Sequence, residues 1–288
     1  MLGSMPVTAL ALLFVAAILH TTWNLLLKQA GEKQVATWWG LLLGSAVFLP
    51  ALAWTGLPAR ETWVLLLCSV LGEAAYYLIL TRAYGDSDFS LVYPLSRGAA
   101  PALIVLWSSL FLGERPSLGG GLGLGVIILG LLIVGGSGAL RRMGATPQLR
   151  GVALALLLAL MISIYSTLSG AAVKRTPAFP YAVAMFFLTP VLLAPVMFRR
   201  FGWPLLKREL ALHHRRLLAI GLLIVSAYTL SLAAYRIAPV GYTGAVREVS
   251  VVFAAFAGWR LLGEPSGGMR VVGSLVILTG ILLIALLG

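Results

Sequence analysis

A chain of 288 residues in which 60% of the side chains are hydrophobic and 10% charged, with a mean hydropathy of +0.99, lies outside the composition of a water-soluble fold, where about a quarter of residues are charged. Its formal charge of +12 would suit nucleic acid in a soluble protein. Here the basic residues fall between apolar runs, where lipid headgroups and the orientation rule account for them and no nucleic-acid partner is implied. The single cysteine, Cys68, excludes an intramolecular disulfide and a cysteine-based zinc cluster.

About twenty apolar residues cross the hydrocarbon core as a helix. In chain order, apolar runs fall at about 6–28, 35–56, 62–84, 89–112, 117–138, 151–174, 178–198, 216–236, 241–262 and 268–287. The first carries no Lys or Arg before His20, so it lacks the positive flank of a cleavable signal and is expected to stay as a helix. Asn24, the sole asparagine, is followed by Leu25-Leu26 and forms no glycosylation acceptor. Most connections are short turns, such as Gly113-Glu114-Arg115-Pro116 and Gly263-Glu264-Pro265. The two longer ones are 139–150 and the basic stretch Arg199–Arg216, which is expected to lie along the headgroups. Solid runs of Leu, Ile, Val and Ala lack the alternation of a barrel strand, so the fold class is an all-α integral membrane protein with ten transmembrane helices.

The two halves repeat. At an offset of 150 residues Arg97 matches Arg247, Gly113-Glu114 matches Gly263-Glu264, and Gly123 and Gly130 match Gly273 and Gly280. A weaker match joins His20–Asn24 and Lys28 to Ser166–Gly170 and Lys174. Each half holds five helices, and because five is odd the second half starts on the opposite side of the membrane. The chain therefore reads as two inverted five-helix repeats, 1–138 and 151–288, joined by 139–150, an arrangement that places substrate sites between the repeats and points to transport.

The paired Gly-Glu turns followed by Pro116 and Pro265, the glycine-bearing fifth and tenth helices, and Trp23 and Lys28 in the first helix resemble the ten-helix EamA-type members of the drug/metabolite transporter superfamily. The resemblance spans essentially the whole chain. It implies transport of small solutes without a cofactor and leaves the solute open, since the superfamily handles amino acids, other metabolites, sugar conjugates and drugs.

Charge at membrane depth costs several kcal/mol and calls for a partner, a wet cavity or a purpose. Glu73, Arg97, Arg247 and Glu248 are the clearest cases, with His20 a titratable fifth. Helical rise puts His20, Glu73 and Arg97 at one level, with Arg247 as the pseudo-symmetric mate of Arg97. Glu73 and Arg97 suit either a static ion pair or a transport site. Arg247 and Glu248, about 100° apart on a helix, cannot both face one cavity, so one pairs elsewhere. Helical spacing collects His20, Trp23 and Asn24 on one face and Glu73, Tyr76 and Tyr77 on another. Tyr93 lies one turn from Arg97, and Tyr165 with Ser169, and Tyr228 with Ser231, give the second half a similar stripe. These thirteen residues are the candidate substrate site, with Glu73 or His20 the candidate proton carrier.

Other features have plainer readings. Trp38, Trp39, Trp54, Trp63, Trp203 and Tyr235 suit the interfacial aromatic belt, and Lys28 and Lys174 are near enough to helix ends to snorkel. Gly119, Gly121, Gly123 and Gly125 form small-xxx-small spacings for close helix contact, either within the chain or across a homodimer. No phosphate loop, zinc motif or nucleophile elbow occurs, so no enzyme, metal or cofactor is expected. Basic residues collect on the face opposite the termini, which by the positive-inside rule puts the termini outside; the family resemblance implies termini in the cytoplasm. The expected function is export of amino-acid-like solutes across the cell (inner) membrane, with membrane lipids as surroundings. The alternatives are a flippase for a lipid-linked sugar and a non-transporting scaffold or sensor.

Overall fold

A computed structural model of the chain describes residues 5–86, 89–139, 149–253, 256 and 267–287. The side chains of 28, 81–86, 89–95, 134–139, 149, 267, 268, 270 and 271 lie outside that description. The described residues are helical almost throughout. Helix α1 spans Val7–Lys28, entered from Pro6. Helix α2 spans Lys33–Phe48 and continues through a 3-10 turn, Leu49–Ala51, and one α-turn, Leu52–Thr55, until Gly56 turns the chain at φ +79°. Helices α3 (Trp63–Asp86), α4 (Phe89–Phe111) and α5 (Leu118–Ala139) complete the first half. In the second half come α6 (Leu149–Val173) and a long helical run, Ala178–Ile237.

Two breaks divide that run, at Gly202 (φ +69°, ψ 151°) and His213 (φ −128°, ψ 15°), giving α7 (178–201), α8 (203–212) and α9 (214–237). Gly202 adopts a left-handed φ that a side chain would strain. The basic stretch after α7 is thus a short helix. It buries Leu206 and leaves Trp203, Leu212, Lys207 and Arg208 exposed, as a helix at the headgroup level requires. Helix α10 (Val240–Val246) tightens at Arg247-Glu248 and resumes over 249–253, and α11 (Gly267–Leu287) ends the chain.

Among the described residues five runs are long and apolar enough to span a bilayer, including Val7–Leu27, Lys33–Thr55 and Arg150–Val173; the broken run Ala178–Ile237 is long enough for two crossings. Side chains facing outward are apolar, with Leu71, Leu118, Leu122, Val191 and Leu275 all exposed. In lipid every polar group needs an internal partner. The helix hydroxyls find one in the preceding turn, Thr22 donating to the Ile18 carbonyl at 2.8 Å and Thr229 to Val225 at 2.7 Å.

Glycines bring helices together where the sequence leaves room. Along the α5–α11 seam, a Cβ on Gly123 would stand 2.8 Å from the Gly280 carbonyl oxygen, and one on Gly130 would stand 2.8 Å from that of Gly273. The sequence repeat pairs 123 with 273 and 130 with 280; the contacts pair 123 with 280 and 130 with 273. Reciprocal contacts of that kind are what a two-fold axis between antiparallel helices demands, and they make the halves inverted repeats in space. Gly119, also close-packed, meets Leu287, whereas Gly121 and Gly125 have nothing within 4 Å. A second close contact joins Gly40 and Gly44 of α2 to Gly221 of α9.

Trp38 and Trp39 do not belong to the interfacial belt. Both are buried in α2, donating their indole N–H to the carbonyls of Pro190 (2.8 Å) and Leu206 (3.0 Å), so they tie α2 to α7 and α8. Tyr235 is likewise fully buried. Trp54 and Trp203 remain exposed, as the belt predicts.

Candidate functional site

A cavity of about 230 Å³ opens between the halves, walled by α1, α2, α3, α4, α6, α7, α9 and the Arg247 turn. It runs from Ala16, Glu73, Arg97 and Arg247 at mid-depth to Lys33 and Arg200 at the far face, where α1 ends and α2 begins. Of the sequence-predicted residues, His20, Trp23, Asn24, Glu73, Tyr76, Tyr77, Arg97, Tyr165, Tyr228, Ser231 and Arg247 line it together.

Their mutual contacts fix the lining. The Asn24 amide donates to the His20 carbonyl at 2.7 Å, and the Trp23 indole N–H to His20 Nδ1 at 3.3 Å. Ring contacts form a chain: Tyr77 to Tyr76 (5.3 Å), Tyr76 to Tyr165 (6.2 Å), Tyr165 to Tyr228 (6.5 Å) and Tyr228 to Phe186 (4.9 Å). This arc offers aromatic faces at one level of the cavity.

The charges divide in a way the sequence left open. Glu73 does not pair with Arg97 by any contact at salt-bridge distance; its Oε2 accepts a hydrogen bond from Thr189 of α7 at 2.8 Å. Arg97 instead reaches Glu248 Oε1 at 3.5 Å, across the two repeats. Arg247 faces the cavity, its Nη2 3.5 Å from Ser166 Oγ, and no carboxylate lies within 4.0 Å of it among the described residues.

One expectation changes. Ser169 is not in the cavity wall. It is buried beneath, donating to Ser69 Oγ at 3.3 Å and accepting from Tyr228 OH at 3.1 Å, while Ser69 contacts Tyr181 OH at 2.9 Å. The side chain of Tyr93 lies outside the described residues. Sequence reasoning also missed Phe186, Thr37, Trp38 and Ser250 in the wall, and Thr189 behind Glu73. Their hydroxyls and rings sit in otherwise apolar helices, and only the helix packing shows that they point inward.

The chain matches the sequence profile of the EamA-like transporter family over residues 7–136 and 149–286. The chain belongs to that family. One solved crystal structure of a protein resembles it with a TM-score of 0.77 at 22% identity, over 97% of this chain and 99% of the other, a likeness in fold. No curated protein sequence matches the chain. Family and fold make this EamA-like protein a multi-pass membrane transporter of the drug/metabolite superfamily, and its two matched ranges are the two repeats.

At the near face, where Val7 and Leu287 lie, the EamA-like halves are bonded to each other. The Glu114 carboxylate, in the α4–α5 turn, accepts the N–H groups of Val240 (2.6 Å) and Gly241 (3.0 Å) at the start of α10. An acid there satisfies amides that the helix itself leaves open. Lys174, just past the end of α6, donates from its Nζ to the Ala238 carbonyl at 2.8 Å. Half-burial lowers the pKa of that ammonium, and the nearby Glu114 charge opposes the shift. The Ser117 N–H donates to Tyr242 OH at 2.8 Å and the Ser117 hydroxyl to the Leu287 carbonyl at 2.7 Å. These bonds join the two halves at the near face.

Proposed function

We propose that the chain exports small polar metabolites, amino-acid-like solutes first among them, across the cell (inner) membrane by alternating access between its two repeats, without chemical conversion of the solute. The observation that carries this reading is Arg247 in the cavity with no carboxylate within 4.0 Å among the described residues. A guanidinium held at membrane depth without an acidic partner is costly unless an anionic group comes to it. Glu73, on the same cavity, offers an acceptor for an ammonium, and the arc of Tyr76, Tyr77, Tyr165, Tyr228 and Phe186 offers apolar faces for the remainder. His20, Trp23, Asn24 and Ser231 supply the other polar contacts, and Glu73 or His20 would carry a proton if flux is coupled to one.

In alternating access the site meets one face at a time. Two features support it: the cavity reaches Lys33 and Arg200 at the far face, and the Glu114 bonds hold the near face shut. The test is efflux of a radiolabelled amino-acid mixture from proteoliposomes. The wild type should release label faster than empty liposomes, and Arg247→Gln should abolish the difference. Equal release by wild type and empty liposomes would sink the reading. Glu73→Gln should remove any dependence of flux on a pH gradient, and a dependence that persists excludes Glu73 as the proton carrier.

A further inference from the structure

Arg97 and Arg247 are symmetry mates in sequence, yet the residues that follow them differ, Gly98 in one half and Glu248 in the other. Helix α4 runs unbroken through Arg97-Gly98. In the other half the backbone tightens, with Glu248 N–H bonded to Ala245, Ser250 to Arg247 and Val251 to Glu248, each a bond to the third residue back. A 3-10 stretch inside a membrane helix re-aims its side chains. Here it turns Arg247 into the cavity and leaves the Glu248 side chain 1% exposed, reaching across to Arg97. Thr21 of α1 steadies the same turn by donating to the Ser250 carbonyl at 3.2 Å.

The pseudo-two-fold axis makes the asymmetry quantitative. The operation that carries Glu248 onto position 98 carries Arg97 onto Arg247, so the carboxylate that symmetry would bring to Arg247 would come from residue 98, and residue 98 is glycine. One arginine is therefore paired across the repeats and its mate has no acid within 4.0 Å among the described residues. The other carboxylate oxygen of Glu248, Oε2, is buried without a hydrogen bond among the described residues. Removing one member of a buried pair strands the other charge, whereas removing both leaves none stranded.

We infer that the two matched arginines have divided their roles. Glu248 holds Arg97 in an inter-repeat pair that positions the α10 turn, and recognition of the solute's anionic group falls to Arg247 alone. This rests on the proposed transport of an anion-bearing solute. It departs from a site in which both arginines bind the anion, since Arg97 becomes a positioning residue that acts through Glu248.

The experiment measures binding of an equimolar mixture of the 14C-labelled L-amino acids to the purified full chain by scintillation proximity, with thermal melting of the same samples. The variants are R97Q, E248Q, R97Q/E248Q and R247Q. R97Q and E248Q should each melt lower than wild type and bind at least about tenfold less. The double variant should recover binding at least tenfold over R97Q and melt above both singles. R247Q should melt like wild type and still lose binding about tenfold or more, because a charge-assisted contact is gone. The inference is overturned if R97Q/E248Q binds no better than R97Q while melting normally, or if E248Q binds more tightly than wild type, which would make Arg97 the anion's own partner. Failure of the wild type to bind any label would instead strike at the proposed transport and at the part given to Arg247. The melting of the two singles against the double would still decide the Arg97–Glu248 pair, non-additivity supporting it and additivity removing it.

Discussion

The α5–α11 seam and the central cavity are both built from repeated sequence, and they use the repetition in opposite ways. In the seam, matched glycines make matched contacts, Gly123 against Gly280 and Gly130 against Gly273. In the cavity, matched arginines meet unmatched neighbours, Arg97 an acid from the other half and Arg247 none within 4.0 Å among the described residues. Packing between two helices gains from symmetry because one solution serves twice. A solute has no two-fold axis, and a site that binds it in one orientation must abandon the symmetry of its frame.

The seam should break hardest. A Leu at position 280 would drive its Cβ toward the Gly123 carbonyl, 2.6 Å away, and into Ile127 at 2.7 Å. Backbone cannot yield as a flexible side chain can, so Gly280→Leu should cost upwards of about 3 kcal/mol. The expected outcome is loss of the folded, monodisperse protein on size-exclusion chromatography. Gly130→Leu should behave alike, and a difference between the two would show that the seam is less symmetric than its contacts.

Removing the cavity arginine that has no acid within 4.0 Å among the described residues should act on binding and spare the fold. Arg247→Gln deletes a guanidinium whose hydrogen bond among the described residues, at 3.5 Å to Ser166, contributes little. Its melting temperature should stay within a degree or two of wild type, while amino-acid-induced thermal stabilisation, which reports a ligand bound to the folded state, should vanish. A large fall in melting temperature would mean that Arg247 supports the turn itself.

Much of the frame is legible in the sequence. Apolar runs, the 150-residue repeat and its parity led to inverted five-helix halves, because helix length in a bilayer is fixed by hydrocarbon thickness. Helical periodicity brought His20, Trp23 and Asn24 together, and Tyr165 with Tyr228 once α6 met α9. What periodicity cannot report is depth and partner. Ser169 follows Tyr165 by one turn on the same face, yet that turn lowers it out of the cavity and into the bonds with Ser69 and Tyr228. Trp38 and Trp39 lie near Lys33 at a helix start and so read as belt residues, but their indoles bond to carbonyls more than 150 residues away. Arg97 finds Glu248 at a separation of 151 residues. The choice of Glu248 over Glu73 is a property of the packed helices alone.

The near-face closure offers a milder perturbation that bears on both regions. Glu114→Gln keeps an oxygen for one of the Val240 and Gly241 amides and gives up the charge that strengthens both bonds. The expected cost is about 1–2 kcal/mol, read as a lower melting temperature with a cavity that still binds solute. Flux should change along with it, because the bonds join α10 to the other half. An unchanged flux with a lowered melting temperature would make Glu114 a structural tie only.

The smallest effect tests how far the seam extends. Gly121 lies two residues from Gly123, yet a Cβ there would meet nothing within 4 Å. Alanine at 121 should therefore remain folded and gain up to about 1 kcal/mol, the amount by which Gly disfavours a helix interior. Gly121 and Gly125 also border a shallow outward groove with Leu122, Val126 and Leu129, so a homodimer built on the glycine-rich helix would have to use this face, the inner glycines being occupied by α11. Gly121→Leu separates the two cases. A mass by light scattering that equals wild type, with melting unchanged, places the helix contacts wholly inside one chain. A mass that falls by half places a second copy on this face, and the seam would then carry glycines on both sides of one helix.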